Sequence, residues 1–429
     1  MAHPPDVDSN LTLAEFLSQT TASTKGIKLD FKTIMVVEPS LKMIQNVTSG
    51  KEVKIPIWLN ADILPGPCYD KVCVPVDQVK FLSLCKTYFP KATLSISWTT
   101  GKDMTGVENY YNWTQVIPMG KLVSQISQPI TFPIRAALVK RSWEQIHWLL
   151  DLSETFTLTI WSSTNDKLDV QDLAALRGSI PDKRRIYYDL PPYQDKAFKD
   201  ALKSGSGYNK RGVGSFPWKA AANNQCEDVL VGRNSVMFSG DGGVVISEKT
   251  LYKIRYYLVV EGICSFIKTG GLDDKGSITI SLHVTNSTVK ATSSNTGKGV
   301  TVVLHSNGVF QLSVNGDETK EGSVRSETGS FKFSISEKSS DGKQTTYKCE
   351  ITAQDSKGNK ASVSLATESE LIGGHVAISA EKQAGAVLVQ NVDFAAALPA
   401  VSGASSWQCH FRRFTVIVLW ALFYSLCQE

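Results

Sequence analysis

The residues whose types and spacing could do chemistry begin with Lys28, Asp30 and Lys32. They alternate with Ile27, Leu29 and Phe31 in the stretch Gly26-Ile27-Lys28-Leu29-Asp30-Phe31-Lys32. A period of two reads as a β-strand with one apolar and one charged face. Two lysines and an aspartate on one face cost desolvation energy unless they serve a ligand or each other. The same pattern returns downstream. Asn60 and Asp62 alternate with Leu59, Ala61 and Ile63; Arg135 opposes Phe132, Ile134 and Ala136; Trp161 aligns with Thr157 and Thr159; Asp189 aligns with Tyr187. Asp30 and Asp62, with His3, are the group types that hold a hard divalent cation such as Mg or Ca. Lys32 and Arg135 can neutralise a phosphate. A metal, a base and a cation are the parts that phosphodiester cleavage needs. The competing reading is a polar-lined barrel without chemistry.

The elements that must position these residues alternate in type. Strand patterns at 26–32, 53–63, 94–100, 131–138, 156–163 and 186–190 are separated by helical patterns at 41–46, 79–88, 113–126, 142–152 and 169–176. A further helical stripe covers 11–17, and another closes the unit at 193–202. Strand and helix in alternation predict a parallel sheet whose apolar face meets the helices. If the sheet closes into an α/β barrel, the polar faces converge in its lumen, and Asn60 and Asp62 sit at the strand end where barrel sites are built. Lys28, Asn60 and Asp189 are then further mouth residues. His147 lies in an amphipathic helix and reads as structural.

From about residue 235 the texture changes to short alternating segments. Asn307-Gly308 and Asn315-Gly316 are hairpin signals. No helical period is sustained as far as Phe394, which predicts an all-β sandwich over 235–395 of the jelly-roll or lectin-like kind. Such modules bind glycans or proteins, or support a neighbour. His283, His305 and His375 are spread through it and read as structural. Residues 204–234 read as a flexible linker. Gly205 and Gly207 are no nucleotide fingerprint, because no strand leads into them.

A chain of 429 residues has room for two domains, and a net charge of +4, spread along it, gives no basic face for nucleic acid. The eight cysteines show no zinc spacing. Sequons at Asn10, Asn46, Asn112 and Asn286 favour the secretory route. Cys68 and Cys73 flank a short loop and can pair, and Cys264 and Cys349 can bridge the second domain; sequence alone fixes neither connectivity. Near the C-terminus, residues 414–427 are apolar but shorter than the ~20 of a comfortable membrane span. Small residues at 402–406 and a polar spacer precede them, the layout of a glycolipid-anchor signal over 396–429. No signal peptide opens the sequence. Its start, Met1-Ala2-His3-Pro4-Pro5, reads as the end of a strand, so a missing N-terminal segment is expected.

Several stretches together resemble the menorin family. They are Met1-Ala2-His3-Pro4-Pro5, Gly26 to Lys32, Trp58-Leu59-Asn60-Ala61-Asp62-Ile63-Leu64-Pro65-Gly66-Pro67, Ser97-Trp98-Thr99-Thr100-Gly101, Thr131-Phe132-Pro133-Ile134-Arg135-Ala136-Ala137-Leu138 and Leu158-Thr159-Ile160-Trp161. The resemblance runs through most of residues 1–203, and more weakly beyond 235. It implies a barrel of the glycerophosphodiesterase and phospholipase-C-like kind, here without its first strands. It implies that Asp30-Phe31-Lys32 supplies a metal ligand and a catalytic, phosphate-binding lysine, and that His3 sits on the third strand as a catalytic group. Arg135 and Trp161 join the phosphate site, with Ser163-Thr164-Asn165-Asp166 resembling a late motif. A histidine strand and a Glu-x-Asp strand expected upstream do not stand in this sequence. The expected function is therefore recognition or patterning at the cell surface, with an extracellular protein as partner and a lipid anchor in the membrane. The alternative is a metal-dependent glycerophosphodiester hydrolase, with a phosphodiester or a glycan as ligand.

Overall fold

The computed structural model describes residues 8–20, 23, 25–47, 55–68, 73–101, 109–203, 218–220, 228–240, 242–248, 257–268, 276–284, 299–316, 318–339, 347–368, 374–380 and 385–396. His3, Asn286, most of the stretch read as a linker and the C-terminal apolar segment lie outside these residues.

The first half builds a parallel sheet from β1 (Ile27–Asp30), β2 (Ile57–Leu64), β3 (Thr93–Trp98), β4 (Ile130–Arg135), β5 (Thr157–Trp161) and β6 (Ile186–Asp189). Their spatial order is their sequence order. Between them run α2 (Val37–Val47), α3 (Gln78–Tyr88), α4 (Trp113–Val123), α5 (Trp143–Asp151) and α6 (Val170–Ser179), with α1 (Leu13–Thr20) before and α7 (Pro192–Lys203) after. Local chemistry sets the helix starts. Asp77 accepts from Lys80 N to cap α3, and Asn112 with Gln115 forms a reciprocal capping box on α4. In α2 the buried residues Val37, Leu41 and Ile44 recur at helical spacing and face the sheet.

The strand alternation is resolved as expected. Ile27, Leu29, Leu59, Leu94, Ile96, Phe132, Ile134, Leu158 and Ile160 are buried in one core with the helices, while Lys28, Asp30, Asn60, Asp62 and Arg135 belong to the opposite face. The sheet curls into a half-barrel. Lys28 on β1 lies 3.8 Å from Asp189 on β6, and Trp58 on β2 meets Tyr187 on β6 with ring centroids 4.9 Å apart. Among the described residues no strand pairs β1 to β6. The observed architecture is thus a curled six-stranded parallel sheet, which is coarser than the incomplete phosphodiesterase-like barrel of the sequence reading.

The second half is a sandwich of two antiparallel sheets. One contains β7 (Trp218–Ala220), β10 (Gly243–Ser247), β12 (Ser277–Val284), β13 (Val300–His305), β14 (Val309–Val314), β15 (Glu318–Ser323) and β19 (His375–Ala380), ordered 15-14-13-12-19-10-7. The other contains β8 (Val229–Val231), β9 (Ser235–Ser239), β11 (Tyr257–Ile267), β16 (Ser330–Ser339), β17 (Tyr347–Asp355), β18 (Lys360–Thr367) and β20 (Ala386–Ala396), ordered 18-17-16-11-20-9-8. Inward residues such as Val260, Ile280, Val302, Phe310, Phe333 and Ile378 form its core. In the three-residue connection between β14 and β15, Asn315 and Gly316 have φ of +55° and +78°, the left-handed region that Asn and Gly tolerate best. β7 and β8 fall within the stretch read as a linker.

The two halves share a core. Leu230, Met237, Ala386 and Leu388 on the outer face of the second sheet pack with the helix layer of the first unit. Polar contacts fix the join: Lys121 bonds Asp228 at 2.5 Å, and Asp151 accepts from Asn234 N, Asn234 Nδ2 and Ser235 Oγ.

Cys68 and Cys73 form a disulfide. The Cys264–Cys349 bridge that the sequence left open does not form: Cys264 is a buried free thiol. Strand register gives the reason. Cys264 stands opposite Phe331 on β16, whereas Cys349 stands opposite Glu337, six residues along the same strand. That separation is about 20 Å, far beyond disulfide reach. Three of the four histidines read as structural have local side-chain partners. His147 bonds Ser179 at 3.0 Å, His283 bonds the buried Glu337 at 2.8 Å, and His375 Nδ1 lies 2.8 Å from Ser247 O. Among the described residues no helix is long and apolar enough to cross a membrane.

Candidate functional site: the polar face of the curled sheet

Parallel register assembles the site. Asp30 stands beside Asn60 on β2, Asn60 beside Ser95 on β3, and Asp62 beside Ser97. Side chains in register on one face of a sheet are neighbours, so short polar groups there bond laterally. Lys32 Nζ lies 2.8 Å from Asp30 Oδ2. Asn60 Nδ2 donates to Asp30 Oδ1 at 2.7 Å, and Ser95 Oγ donates to Asn60 Oδ1 at 2.6 Å. One row above, Ser97 Oγ donates to Asp62 Oδ1 at 2.5 Å. Further round the wall, Thr131 and Thr159 share a hydrogen bond of 2.8 Å.

Asp62 is the perturbed group of this face. Burial raises its pKa above the usual carboxylate value, against the opposing pull of the Ser97 hydrogen bond and of Lys32 and Lys28; Asp30 adds to the rise. A carboxyl that holds its proton longer in a polar cleft is suited to donate it.

Arg135 and Trp161 are brought together, but Arg135 is fully engaged. Its Nε donates to Asp166 Oδ2 at 2.8 Å, a second nitrogen pairs with Asp166 Oδ1, and the third donates to Gly101 O at 2.5 Å. Its guanidinium lies over the Trp161 ring, 5.2 Å from the centroid. Both charged side chains are about 5% exposed, so this is a buried bidentate ion pair. A phosphate arriving at Arg135 would have to displace Asp166.

The structure therefore brings Lys28, Asp30, Lys32, Asn60, Asp62 and Asp189 to one curled face and sets Arg135 and Trp161 apart in a pair with Asp166. Sequence reasoning gave no partner to Arg135. The signal was Asp166 itself, five residues past Trp161 in the turn after β5. Of the sequon asparagines, Asn10 and Asn46 are exposed, while Asn112 spends its side-chain oxygen on the α4 cap. Among the described residues, no three His, Cys, Asp or Glu side chains converge as a metal site. Asp30 and Asp62 are two carboxylates, and both oxygens of Asp30 already accept, so the described residues do not complete a cation site.

The model of the menorin N-terminal domain matches residues 1–195. Human protein FAM151B is 44% identical over 202 residues, covering 47% of this chain and 71% of that protein. This chain belongs to the menorin family. Outside it, solved structures give weak likenesses. A legume lectin-like domain from Entamoeba histolytica has a TM-score of 0.32 at 11% identity, over 43% of this chain and 90% of its own. The exoplasmic/lumenal domain of VIP36, in a Ca2+/Man3GlcNAc-bound form, has a TM-score of 0.31 at 7% identity, over 44% and 86%. Similarity at this level carries no conclusion for the menorin-family chain, whose sandwich stands on its own strand order.

Proposed function

We propose that this menorin-family chain is a recognition protein of the extracellular or secretory space, acting through contacts with a surface protein or glycan rather than through catalysis. One observation carries the reading: the charged groups of the curled face neutralise one another. Lys32 is paired with Asp30, Lys28 with Asp189, and Arg135 with Asp166. A phosphate or a cation would have to break these pairs, at the cost of leaving charges uncompensated. The Cys68–Cys73 disulfide supports an oxidising compartment. The apolar 414–427 segment supports a C-terminal lipid anchor. In this reading the half-barrel is the larger part of an eight-stranded barrel.

A second reading, phosphodiester hydrolysis, is favoured by Asp62. Its raised pKa and its place near Lys32 suit it to protonate a leaving alkoxide while the lysine faces the phosphate. Any cation would need ligands besides Asp30 and Asp62.

The test presents the purified chain to cells, and separately to glycerophosphodiesters with Mg or Ca. Binding that persists in Asp30→Asn and Lys32→Gln, with no hydrolysis by any form, supports recognition. Hydrolysis by the wild type that disappears in Asp30→Asn and Asp62→Asn replaces it with the second reading.

A further inference from the structure

The connections that follow β1 and β2 carry the three most exposed large apolar side chains among the described residues, Met35, Val74 and Val79. After β1 comes a short 3-10 turn, Ile34–Val36. Ile34 packs on the core, while Met35 and Val36 stand 76% and 48% exposed. After β2, Val74 is 74% exposed in the loop, and Val79 in the first turn of α3 is 76% exposed. All four lie beyond the C-terminal ends of neighbouring parallel strands, at the mouth end of the curled sheet. The starts of α2 and α3 face each other there. The Glu38 carboxyl is held below its ordinary value by Lys42, by Tyr88 and, through space, by Lys80 in the first turn of α3. Right-handed crossovers carry both connections over β1–β3, on the far side of β1 from its open edge. The loop that presents Val74 is braced. The Cys68–Cys73 disulfide closes it, Pro75 fixes its backbone, and Val76 N donates to Asp62 O at 2.8 Å.

We propose that this rim rests on a lipid bilayer and inserts its apolar tips just below the headgroups. Apolar side chains three-quarters free in water carry a cost that burial in an apolar phase removes. The tips project singly from a tight turn, a loop and a helix start. A fluid bilayer closes around such points, whereas a protein partner would have to supply a pocket for each. Protein interfaces centre on Trp, Tyr and Arg anchors, and this rim offers methionine and valine instead. Lys80, exposed beside Val79, supplies a cation at headgroup level. The bilayer is also the apolar phase within the chain's reach. β20 ends at Ala396, and the small residues 402–406, where the anchored reading attaches the lipid, follow closely. The inference rests on that reading for proximity and adds what a tether lacks. A tether leaves orientation free; the rim turns the mouth of the curled sheet toward the membrane.

The full chain is mixed with vesicles of phosphatidylcholine and phosphatidylserine that contain a lipid with a diazirine in its acyl chain. Irradiation marks side chains that enter the acyl layer, and tryptic peptides are mapped by mass spectrometry after disulfide reduction. Peptide 33–42 reports Met35 and Val36, peptide 72–80 reports Val74 and Val79, and peptide 414–429 reports the tail. The expected result is labelling of both rim peptides. It falls at least about tenfold in a variant that combines Met35→Ser, Val36→Ser, Val74→Ser and Val79→Ser, while tail labelling is retained. Thermal unfolding of that variant should match the wild type, because the four side chains are exposed. Labelling confined to the tail, or rim labelling that the four substitutions leave unchanged, overturns the proposal. A rim unlabelled on vesicles but protected when the chain binds cells assigns it to a protein partner and overturns it equally. Rim labelling without tail labelling upholds the rim and removes the anchor, so the two ideas fail separately.

Discussion

The Ser97 hydroxyl donates to Asp62 Oδ1 at 2.5 Å across neighbouring strands β2 and β3. It pulls the Asp62 pKa down, and burial outweighs it. The native state therefore holds the Asp62 proton more tightly than the unfolded chain does. The associated stability is fully present below the ordinary value of 3.8 and is lost as pH rises through the raised native value. Asp62→Asn should remove that decline, read as the pH dependence of urea unfolding. Ser97→Ala should raise the Asp62 pKa further, read by carboxyl-carbon NMR titration.

His147 titrates in the opposite sense. Burial lowers its pKa from 6.5 to about 4, so the native state keeps the ring neutral where the unfolded chain would protonate it. Stability should fall as pH drops from 6.5 towards 4, and flatten below, by up to about 3 kcal/mol. His147→Leu should flatten this window in chemical denaturation.

Asp166→Ala should leave the Arg135 guanidinium buried without its carboxylate. Breaking a buried pair from one side costs ~3–5 kcal/mol. Arg135→Lys should not restore the loss, because an ammonium cannot reproduce the two-nitrogen fork that bonds Asp166 through Nε and a terminal nitrogen. Thermal unfolding measures both.

Asp151 joins the two halves. Asp151→Ala removes the acceptor for Asn234 N, Asn234 Nδ2 and Ser235 Oγ. A loss of ~1–3 kcal/mol is expected from the stranded donors. In calorimetry, a single transition should split or broaden as the sandwich uncouples from the helix layer.

Much of the first half was legible because its strands repeat with a period of two and its helices with a period near four. Leu59 and Asn60 had to face opposite ways, whichever strands flanked them. The sandwich was legible from Asn315-Gly316 and from unbroken short alternation. The bounds of the second domain were less so: β7 and β8 are strands of only three residues each, too short to show a period.

The sequence by itself determined which side chains share the polar face, since alternation along a strand is a local property of the backbone. It also placed Cys68 and Cys73 close enough to pair, because a five-residue separation keeps them near. Tertiary structure alone decided who meets whom across strands. The register that sets Asp30 beside Asn60 and Ser95, the fork that commits Arg135 to Asp166, and the six-residue offset that separates Cys264 from Cys349 are relations between distant segments. No local pattern carries them, because register is chosen by the packing of whole faces, and a shift of one residue would turn every side chain to the other side.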